Sequence, residues 1–329
     1  MIKENDVLQK TSGVKKIVNI FLRERAISIF LMIIVIIIVM FFIRPDIFFS
    51  YDNLRVILNN MVFDATIVIG MTVVMVGGGF DLSVGSIQSL TALVTAQALL
   101  IWKWDVLPAI LLGMLCSLII GILNGSVIAK IGVNPFITTL ATRSLVKGIA
   151  ILIGAKGFFY IPPGIDKIGQ TQLFGLIVPF WVMLFLIIVV QLLMWKNKYF
   201  RQYYYLGGNE KAAVLSGIKV GKIKTISYII SAVMAGLAGV FFVARMSAAV
   251  TSVGEGAELR AITAVILGGA SLSGGRGSIL GSFLGIIFMR ILDNTLIIAR
   301  VSSYWSLVAV GVILLIAVIS DTVTRRLKG

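Results

Sequence analysis

The sequence contains no histidine and a single cysteine, Cys116, which lies within an apolar stretch. One cysteine excludes a disulfide framework within the chain and a zinc site built from cysteines. Without histidine, the common metal-binding and acid–base sites have few candidate residues. Charge is also scarce, since 13% of the residues are charged, about half the fraction found in soluble domains.

Apolar residues, in contrast, are abundant and occur in long runs. Hydrophobic residues make up 59% of the chain, and the mean hydropathy is +1.05. Crossing a bilayer takes about 20 apolar residues in a helix. Uncharged windows of about that length occur at 26–43, 82–102, 106–129, 168–195, 225–244 and 301–320. A large helical bundle in water is the alternative, but it would not need so many unbroken runs.

The sequence predicts an all-α integral membrane protein with about ten transmembrane helices. The predicted spans are 26–43, 56–77, 84–102, 106–129, 135–154, 174–195, 224–244, 258–272, 278–298 and 302–320. Two depart from the general pattern: 135–154 carries Arg143 and Lys147, and 258–272 is short. The resulting organisation is a cytoplasmic segment 1–25, a transmembrane domain 26–320 and a cytoplasmic tail 321–329.

The distribution of basic residues orients these spans. With the N-terminus inside, 18 of the 29 lysines and arginines lie in cytoplasmic segments and 8 in outer ones. Cytoplasmic loops retain basic residues, so an N-in, C-in topology is predicted. The net charge of +15 could also suit a nucleic-acid partner, but its placement at span ends favours membrane topology. The first apolar run exceeds a signal-peptide core and is interpreted as an uncleaved span.

Two glycine-rich interruptions share the pattern Gly-Gly-x-x-Leu-Ser, at residues 78–83 and 268–273. Paired breaks in the two halves of a transporter point toward the substrate path, so interrupted helices are predicted here. Glycines that only allow close helix packing are the alternative. Asp81 favours the path at the first break, because a carboxylate near the membrane interior faces a cavity or a partner.

Other polar residues also fall within spans. Asn134 and Pro135 predict the cap and first turn of a helix. Asp64 and Asp293 are isolated acids, and each is predicted to pair with another helix rather than to touch a solute.

The segment 196–224 is the largest predicted cytoplasmic loop and is called the coupling loop below. It carries seven Lys or Arg residues against one acid, Glu210. The glycines at 207–208 predict a turn, Asn209 predicts a cap, and Gly217 predicts the end of a two-turn helix over 210–216. So short a helix is unstable alone and must dock on something. A loop lying on lipid headgroups is the alternative.

Four stretches together resemble the permease subunits of bacterial ABC importers for ribose and related sugars. They read GGFDLSVGS at 78–86, NPFITTL at 134–140, GGNEKAAVLSGI at 207–218 and AITAVILGGASL at 261–272. The similarity extends from about Asn53 to Asp321. The triplet at 201–203 and Arg260 differ from the residues that are usual in this family at those positions. Both differences bear on which substrate is carried.

The resemblance implies a pore made by two permease copies, identical or different, in the bacterial inner membrane. It implies cytoplasmic ABC ATPase subunits and a periplasmic or lipid-anchored sugar-binding protein as partners. It also implies that the coupling loop seats a helix on the ATPase, through Gly207, Gly208, Asn209, Ala212, Ala213, Gly217 and Ile218. The chain has no phosphate-binding loop, so ATP is expected on the partner, and no cofactor or enzymatic activity is expected here.

A neutral sugar needs hydrogen-bond donors and acceptors more than a charge clamp. The residues predicted to line the translocation path are Asp81, Ser83, Asn134, Phe136, Thr138 and Thr139. The alternative function is an ion-coupled secondary transporter that uses Asp64, Asp81 and Asp293 as coupling carboxylates. A channel or a scaffold has no supporting feature in the sequence.

Overall fold

The computed structural model describes residues 25–302 and 304–326. Most of the predicted segment 1–25 and the end of the predicted tail 321–329 therefore lie outside the described residues. The helices are α1 Arg25–Ile43, α2 Pro45–Phe48, α3 Tyr51–Val76, α4 Val84–Leu100, α5 Val106–Ser126, α6 Pro135–Gly154, α7 Asp166–Gln170, α8 Val178–Lys196, α9 Lys198–Gly208, α10 Glu210–Leu215, α11 Val220–Met246, α12 Ala257–Leu267, α13 Ile279–Ile298 and α14 Tyr304–Arg326. A π-helical turn, Val127–Ile131, extends α5, and strands β1 Gln172–Leu173 and β2 Leu176–Ile177 form a hairpin.

Six of the described helices are long and apolar enough to cross a membrane: α3, α5 with its π-helical turn, α6, α8, α11 and α13. Shorter apolar helices lie at Ile29–Ile43, Val84–Leu100 and Tyr304–Ile316. Helix α12 has only 11 residues. A helix overlaps each of the predicted spans, but the ten membrane crossings themselves stay a prediction.

Helix α4 lies at the centre of the bundle, where every residue apart from Gln97 and Leu100 is buried. Helix α11 packs against α3, α4 and α5, and α6 packs against α4. Glycines allow the close approaches. A Cβ placed on Gly121 of α5 would lie 2.9 Å from the Cα of Ile229 on α11. Small residues at crossings let helices associate by van der Waals contact where water supplies no hydrophobic drive.

The outward side of α5 is an exposed apolar stripe. Leu111, Leu115 and Ile119 recur every four residues and are exposed, whereas Gly113, Ser117 and Gly121 turn inward. Positions four apart share one face of a helix. An apolar stripe outside and small residues inside are the arrangement of a membrane bundle, which supports contact with lipid.

The structure corrects two local predictions. Gly207 and Gly208 form the last turn of α9 and are not a turn between helices. Helix α8 begins at Val178, four residues later than predicted, because the hairpin takes up residues 172–177. Residues 247–256, which follow the predicted span 224–244, fold back between α4 and α6.

Candidate translocation path and coupling junction

The first glycine break, residues 77–83, is organised by Asp81. One carboxylate oxygen of Asp81 accepts hydrogen bonds from the backbone N–H of Ser83 at 3.0 Å and from its hydroxyl at 2.5 Å. This side-chain-to-backbone turn positions the start of α4. Asp81 and Ser83 are both fully buried, so within this chain neither side chain opens onto a cavity.

The polar network continues from Ser83 across the bundle. The side-chain amide of Asn124 on α5 donates to the Ser83 hydroxyl at 3.0 Å. The hydroxyl of Thr142 on α6 donates to the side-chain oxygen Oδ1 of Asn124 at 2.7 Å. The Tyr228 hydroxyl on α11 donates to the carbonyl of Phe80 at 3.2 Å. The break is therefore bonded directly to α5 and α11 and, through Asn124, to α6, and hydrogen bonds in such buried surroundings are costly to break.

The predicted path residues at the start of α6 have local roles in the structure. Asn134 caps the helix by accepting from the N–H of Phe136 at 2.9 Å, which confirms the predicted cap. The hydroxyls of Thr138 and Thr139 donate to carbonyls one turn earlier in α6, and Phe136 is exposed. The structure therefore brings Asp81 and Ser83 together but leaves Thr138 and Thr139 bonded to their own helix.

The second glycine break, residues 268–278, touches the first one directly. The N–H of Gly275 donates to the carbonyl of Val76, the last residue of α3, at 2.9 Å. A Cβ on Gly274 would lie 2.7 Å from the Cα of Gly78. Real Cβ atoms do not approach backbone this closely, so only glycine fits. The two similar motifs, 190 residues apart in the chain, meet at one end of the bundle.

Helix α9 of the coupling loop lies across this meeting point, which we call the glycine junction. A Cβ on Gly207 would overlap the Val76 carbonyl oxygen and the Gly275 nitrogen. The Tyr204 hydroxyl donates to the carbonyl of Gly277 at 3.0 Å. Burial raises the pKa of the Tyr203 and Tyr204 hydroxyls, so both stay protonated at neutral pH and Tyr204 remains a donor.

Helix α9 is not predicted from the sequence. Its aromatic run suggests little helix propensity, since aromatic residues lose rotamer freedom in a helix. The available signal is spacing: Tyr199, Tyr203 and Leu206 recur at intervals of four and three, and the last two are buried. Positions at this spacing share a helical face.

Helix α10 follows after one extended residue, Asn209, whose side chain accepts from the N–H of Ala212 at 3.0 Å. Gly217, at φ +78°, ends the turn, as predicted. Lys224 of α11 pairs with Glu210 at 2.7 Å. Three of the predicted coupling residues differ in exposure: Ala213 is buried within this chain, Ile218 is half-buried, and Ala212 is exposed.

A cavity of about 290 Å³ opens beside the glycine junction. Its lining includes Gly78, Gly207, Asn209, Tyr228 and Ser273. Both breaks and the coupling loop therefore border one space, and a shift of the loop changes the shape of that space directly.

The isolated acids within spans pair with arginines, as predicted for Asp64. Arg290 of α13 and Arg260 of α12 both bind Asp64 of α3. Arg290 also lies 3.5 Å from Asp293 on its own helix, and Ser306 of α14 donates to Asp293. Arg260, one of the eight basic residues that were counted in outer segments, lies in helix α12. These contacts neutralise buried charge, which is otherwise expensive in the membrane.

A second ion pair was not anticipated. Arg143 of α6 binds Glu258 of α12 at 2.8 Å, and Glu258 is 2% exposed. Lys147, one turn further along α6, donates to the carbonyl of Thr251 at 2.6 Å. The two basic residues noted on α6 thus hold the start of α12 and the segment before it, and the useful sequence signal was their spacing of four.

The geometry describes a helical membrane protein in which two glycine breaks meet at a junction under a short-helix loop. A family model described as "Branched-chain amino acid transport system / permease component" matches residues 53–318. The chain belongs to this permease family. It is a multi-pass inner-membrane transport protein and not an enzyme.

Named relatives show the same relationship over most of the chain. The ribose import permease protein of Haemophilus influenzae is 35% identical over 297 residues, covering 89% of this chain and 91% of the relative. The D-allose transport system permease protein of Escherichia coli is 32% identical over 285 residues, covering 86% and 87%. The L-arabinose transport system permease protein of Escherichia coli is 33% identical over 262 residues, covering 79% of each. No solved structure matches the chain.

Proposed function

We propose that this chain is the permease subunit of an ATP-driven importer for a monosaccharide. It forms the translocation path within residues 26–320 and is driven by a separate cytoplasmic ATPase. A sugar-binding protein delivers the solute from outside, and a second permease copy completes the pore. The names of the relatives, which refer to ribose, D-allose and L-arabinose, support a sugar as the solute.

The observation that carries this proposal is the position of Gly207. It lies against Val76 at the end of α3 and against Gly275 in the second break, without room for a side chain. A displacement of α9 therefore pushes on both glycine breaks at once. Packed backbone contacts transmit a movement because they cannot be compressed.

The other end of the coupling loop offers a surface for the ATPase. Helix α10 presents Leu215, which is 89% exposed, together with Val214 and Ala212. A six-residue helix has no stability of its own, and an exposed leucine on it gains free energy when a partner covers it. We take residues 207–218 as the coupling element, with α10 outside on the ATPase and Gly207 inside on the junction.

The basic residues support the orientation that this arrangement requires. Lys196, Lys198, Arg201, Lys211 and Lys219 surround the coupling element, and basic loops stay on the cytoplasmic side. The glycine junction then faces the cytoplasm, and the hairpin 172–177 faces outward.

The ion-coupled alternative receives less support from the structure. It requires carboxylates that bind and release an ion, yet Asp64 is held by two arginines and Asp293 by Arg290 and Ser306. Asp81 is fully buried and bonded to Ser83.

Reconstitution tests the proposal. The permease is placed in liposomes with its ATPase and the binding protein, and uptake of D-ribose, D-allose and L-arabinose is measured with and without ATP. Uptake of one of these sugars only with ATP supports the proposal. Uptake by the permease alone under an ion gradient contradicts it.

A further inference from the structure

Residues 247–256 connect α11 to α12 without forming a helix, and we call them the re-entrant segment. Ser247, at φ +49°, ends α11, and Gly254 and Gly256, at φ +77° and +71°, turn the chain before α12 begins. Ala249 pairs with Phe158, just beyond the end of α6. From there the segment runs back into the bundle.

Two ion pairs at the start of α12 fix the depth that the re-entrant segment reaches in the membrane. Glu258 binds Arg143, which lies about 12 Å along α6 from Pro135 at the usual helical rise. Arg260 binds Asp64, near the centre of the 26-residue helix α3. Helices α3 and α6 are both long enough to cross a bilayer. Helix α12 therefore begins near mid-membrane. The re-entrant segment forms the other half of this membrane crossing.

One side of the re-entrant segment is covered by protein. Ser89 of α4 donates to the carbonyl of Thr251 at 3.0 Å, and Lys147 of α6 donates to the same oxygen. A Cβ on Gly85 of α4 would overlap the carbonyl of Gly254. Non-helical backbone at this depth persists only where protein or water covers it, and α4 and α6 provide the protein.

The other side carries polar groups without partners. Ser252 and Glu255 are exposed, and within residues 25–302 and 304–326 neither side chain has a hydrogen-bond or ion-pair partner. Arg143 remains 43% exposed beside Glu258. Gln88, which faces Gly254, is buried with its side-chain oxygen unbonded. Because a carboxylate exposed to lipid is costly, Glu255 faces water or a polar solute.

We propose that the exposed side of the re-entrant segment is the site where the permeating solute contacts the chain at mid-membrane. Glu255 accepts hydrogen bonds, Arg143 donates them, and Ser252 does either. Arg143 and Lys147 balance Glu255 and Glu258, so the site has no excess charge to hold an ion. It suits an uncharged solute rich in hydroxyl groups. The inference rests on the proposed function and adds the residues that meet the solute.

Cysteine labelling tests water access and solute contact together. In a Cys116→Ser chain within the full complex, Ser252→Cys and Glu255→Cys are treated with a charged, water-soluble thiol reagent. The matched control is Leu115→Cys, which lies on the lipid-facing stripe at the middle of α5. We expect positions 252 and 255 to react faster than position 115, and the transported sugar to slow both reactions. Equal rates, or fast reactions that no sugar slows, overturn the proposal.

Uptake by the complex that contains the Cys116→Ser permease separates this inference from the proposed function. If D-ribose, D-allose or L-arabinose is taken up while positions 252 and 255 stay unreactive, the site is wrong and the importer stands. If no sugar is taken up with ATP, the importer is wrong, and the labelling rates still decide whether water reaches the segment. Glu255→Gln should raise the KM for uptake about tenfold by weakening a charge-assisted hydrogen bond, with ATPase binding unchanged.

Discussion

The backbone N–H of Gly275 donates a hydrogen bond of 2.9 Å to the carbonyl oxygen of Val76. This bond joins the break after α3 to the break after α12, two similar motifs far apart in sequence. Gly207 of the coupling loop covers the same bond, and a side chain at this position would overlap both partners. The two glycine breaks and the loop that is proposed to drive them therefore share one contact point.

Gly207→Ala should uncouple the protein. The added methyl meets backbone atoms of Val76 and Gly275, which cannot rotate away, so the contact is forced apart at a cost of about 1–3 kcal/mol. We expect sugar uptake to fall strongly while ATP hydrolysis by the assembled complex continues. Gly208→Ala is the control, because a Cβ there meets nothing within 4 Å. Wild-type uptake by Gly207→Ala would remove Gly207 from the coupling route.

Asp81→Ala should strongly reduce uptake while the complex still assembles. The change leaves the N–H and hydroxyl of Ser83 without their acceptor, which costs about 1–3 kcal/mol in a buried site. Asp81→Asn keeps an acceptor oxygen and should retain more uptake. The measurement is initial uptake rate per assembled complex. Equal losses in both variants would assign the role to the negative charge, and wild-type uptake in Asp81→Ala would leave the residue without a role in transport.

Leu215→Glu should weaken the ATPase contact without disturbing the permease, because Leu215 is 89% exposed. The charged side chain replaces an apolar one that a partner covers. We expect less ATPase in pull-downs of the variant. Phe174→Glu, which changes an exposed aromatic residue in the hairpin, is the control and should retain full binding. Ala213 is less suitable for this test than its sequence suggested, because it is buried in its own chain.

Asp64→Leu should destabilise the folded permease, because it leaves Arg290 and Arg260 without their shared partner. Removing one member of a buried ion pair typically costs about 3–5 kcal/mol. The thermal midpoint of the purified protein should drop. The double variant with Arg290→Leu should lose less than the sum of the single variants, and strict additivity would show that the pair contributes nothing.

Reporter fusions test the topology. A reporter inserted near Glu210 or fused after Lys328 should be cytoplasmic, and one inserted near Gly164 should be periplasmic, because the basic residues concentrate on the first side. A cytoplasmic signal from the Gly164 position would contradict the predicted crossings.

The sequence predicted those features that depend on local chemistry. Apolar length predicted the approximate positions of the long apolar helices, and the caps at Asn134 and Asn209 and the stop at Gly217 followed from their side-chain and backbone preferences. The two glycine breaks were also recognised. Their contact with each other was not, because hydropathy carries no information on which distant segments meet.

The re-entrant segment shows the same limit more sharply. Residues 247–256 contain small and polar residues, which also describes a surface loop. Their depth is fixed by partners elsewhere in the chain, Arg143, Lys147 and Ser89. Long-range pairing of this kind cannot be inferred from local pattern, although a carboxylate and an arginine in separate spans are a hint that they pair.

The most direct test of the central claim is sugar uptake by the Gly207→Ala and Gly208→Ala permeases, each reconstituted with ATPase and binding protein. Initial uptake and ATP hydrolysis are measured in the same vesicles. The account predicts ATP-dependent uptake by wild type and Gly208→Ala, and hydrolysis without matching uptake by Gly207→Ala. Equal ratios of uptake to hydrolysis in all three proteins would contradict the claim that the coupling loop acts on the two glycine breaks through the glycine junction.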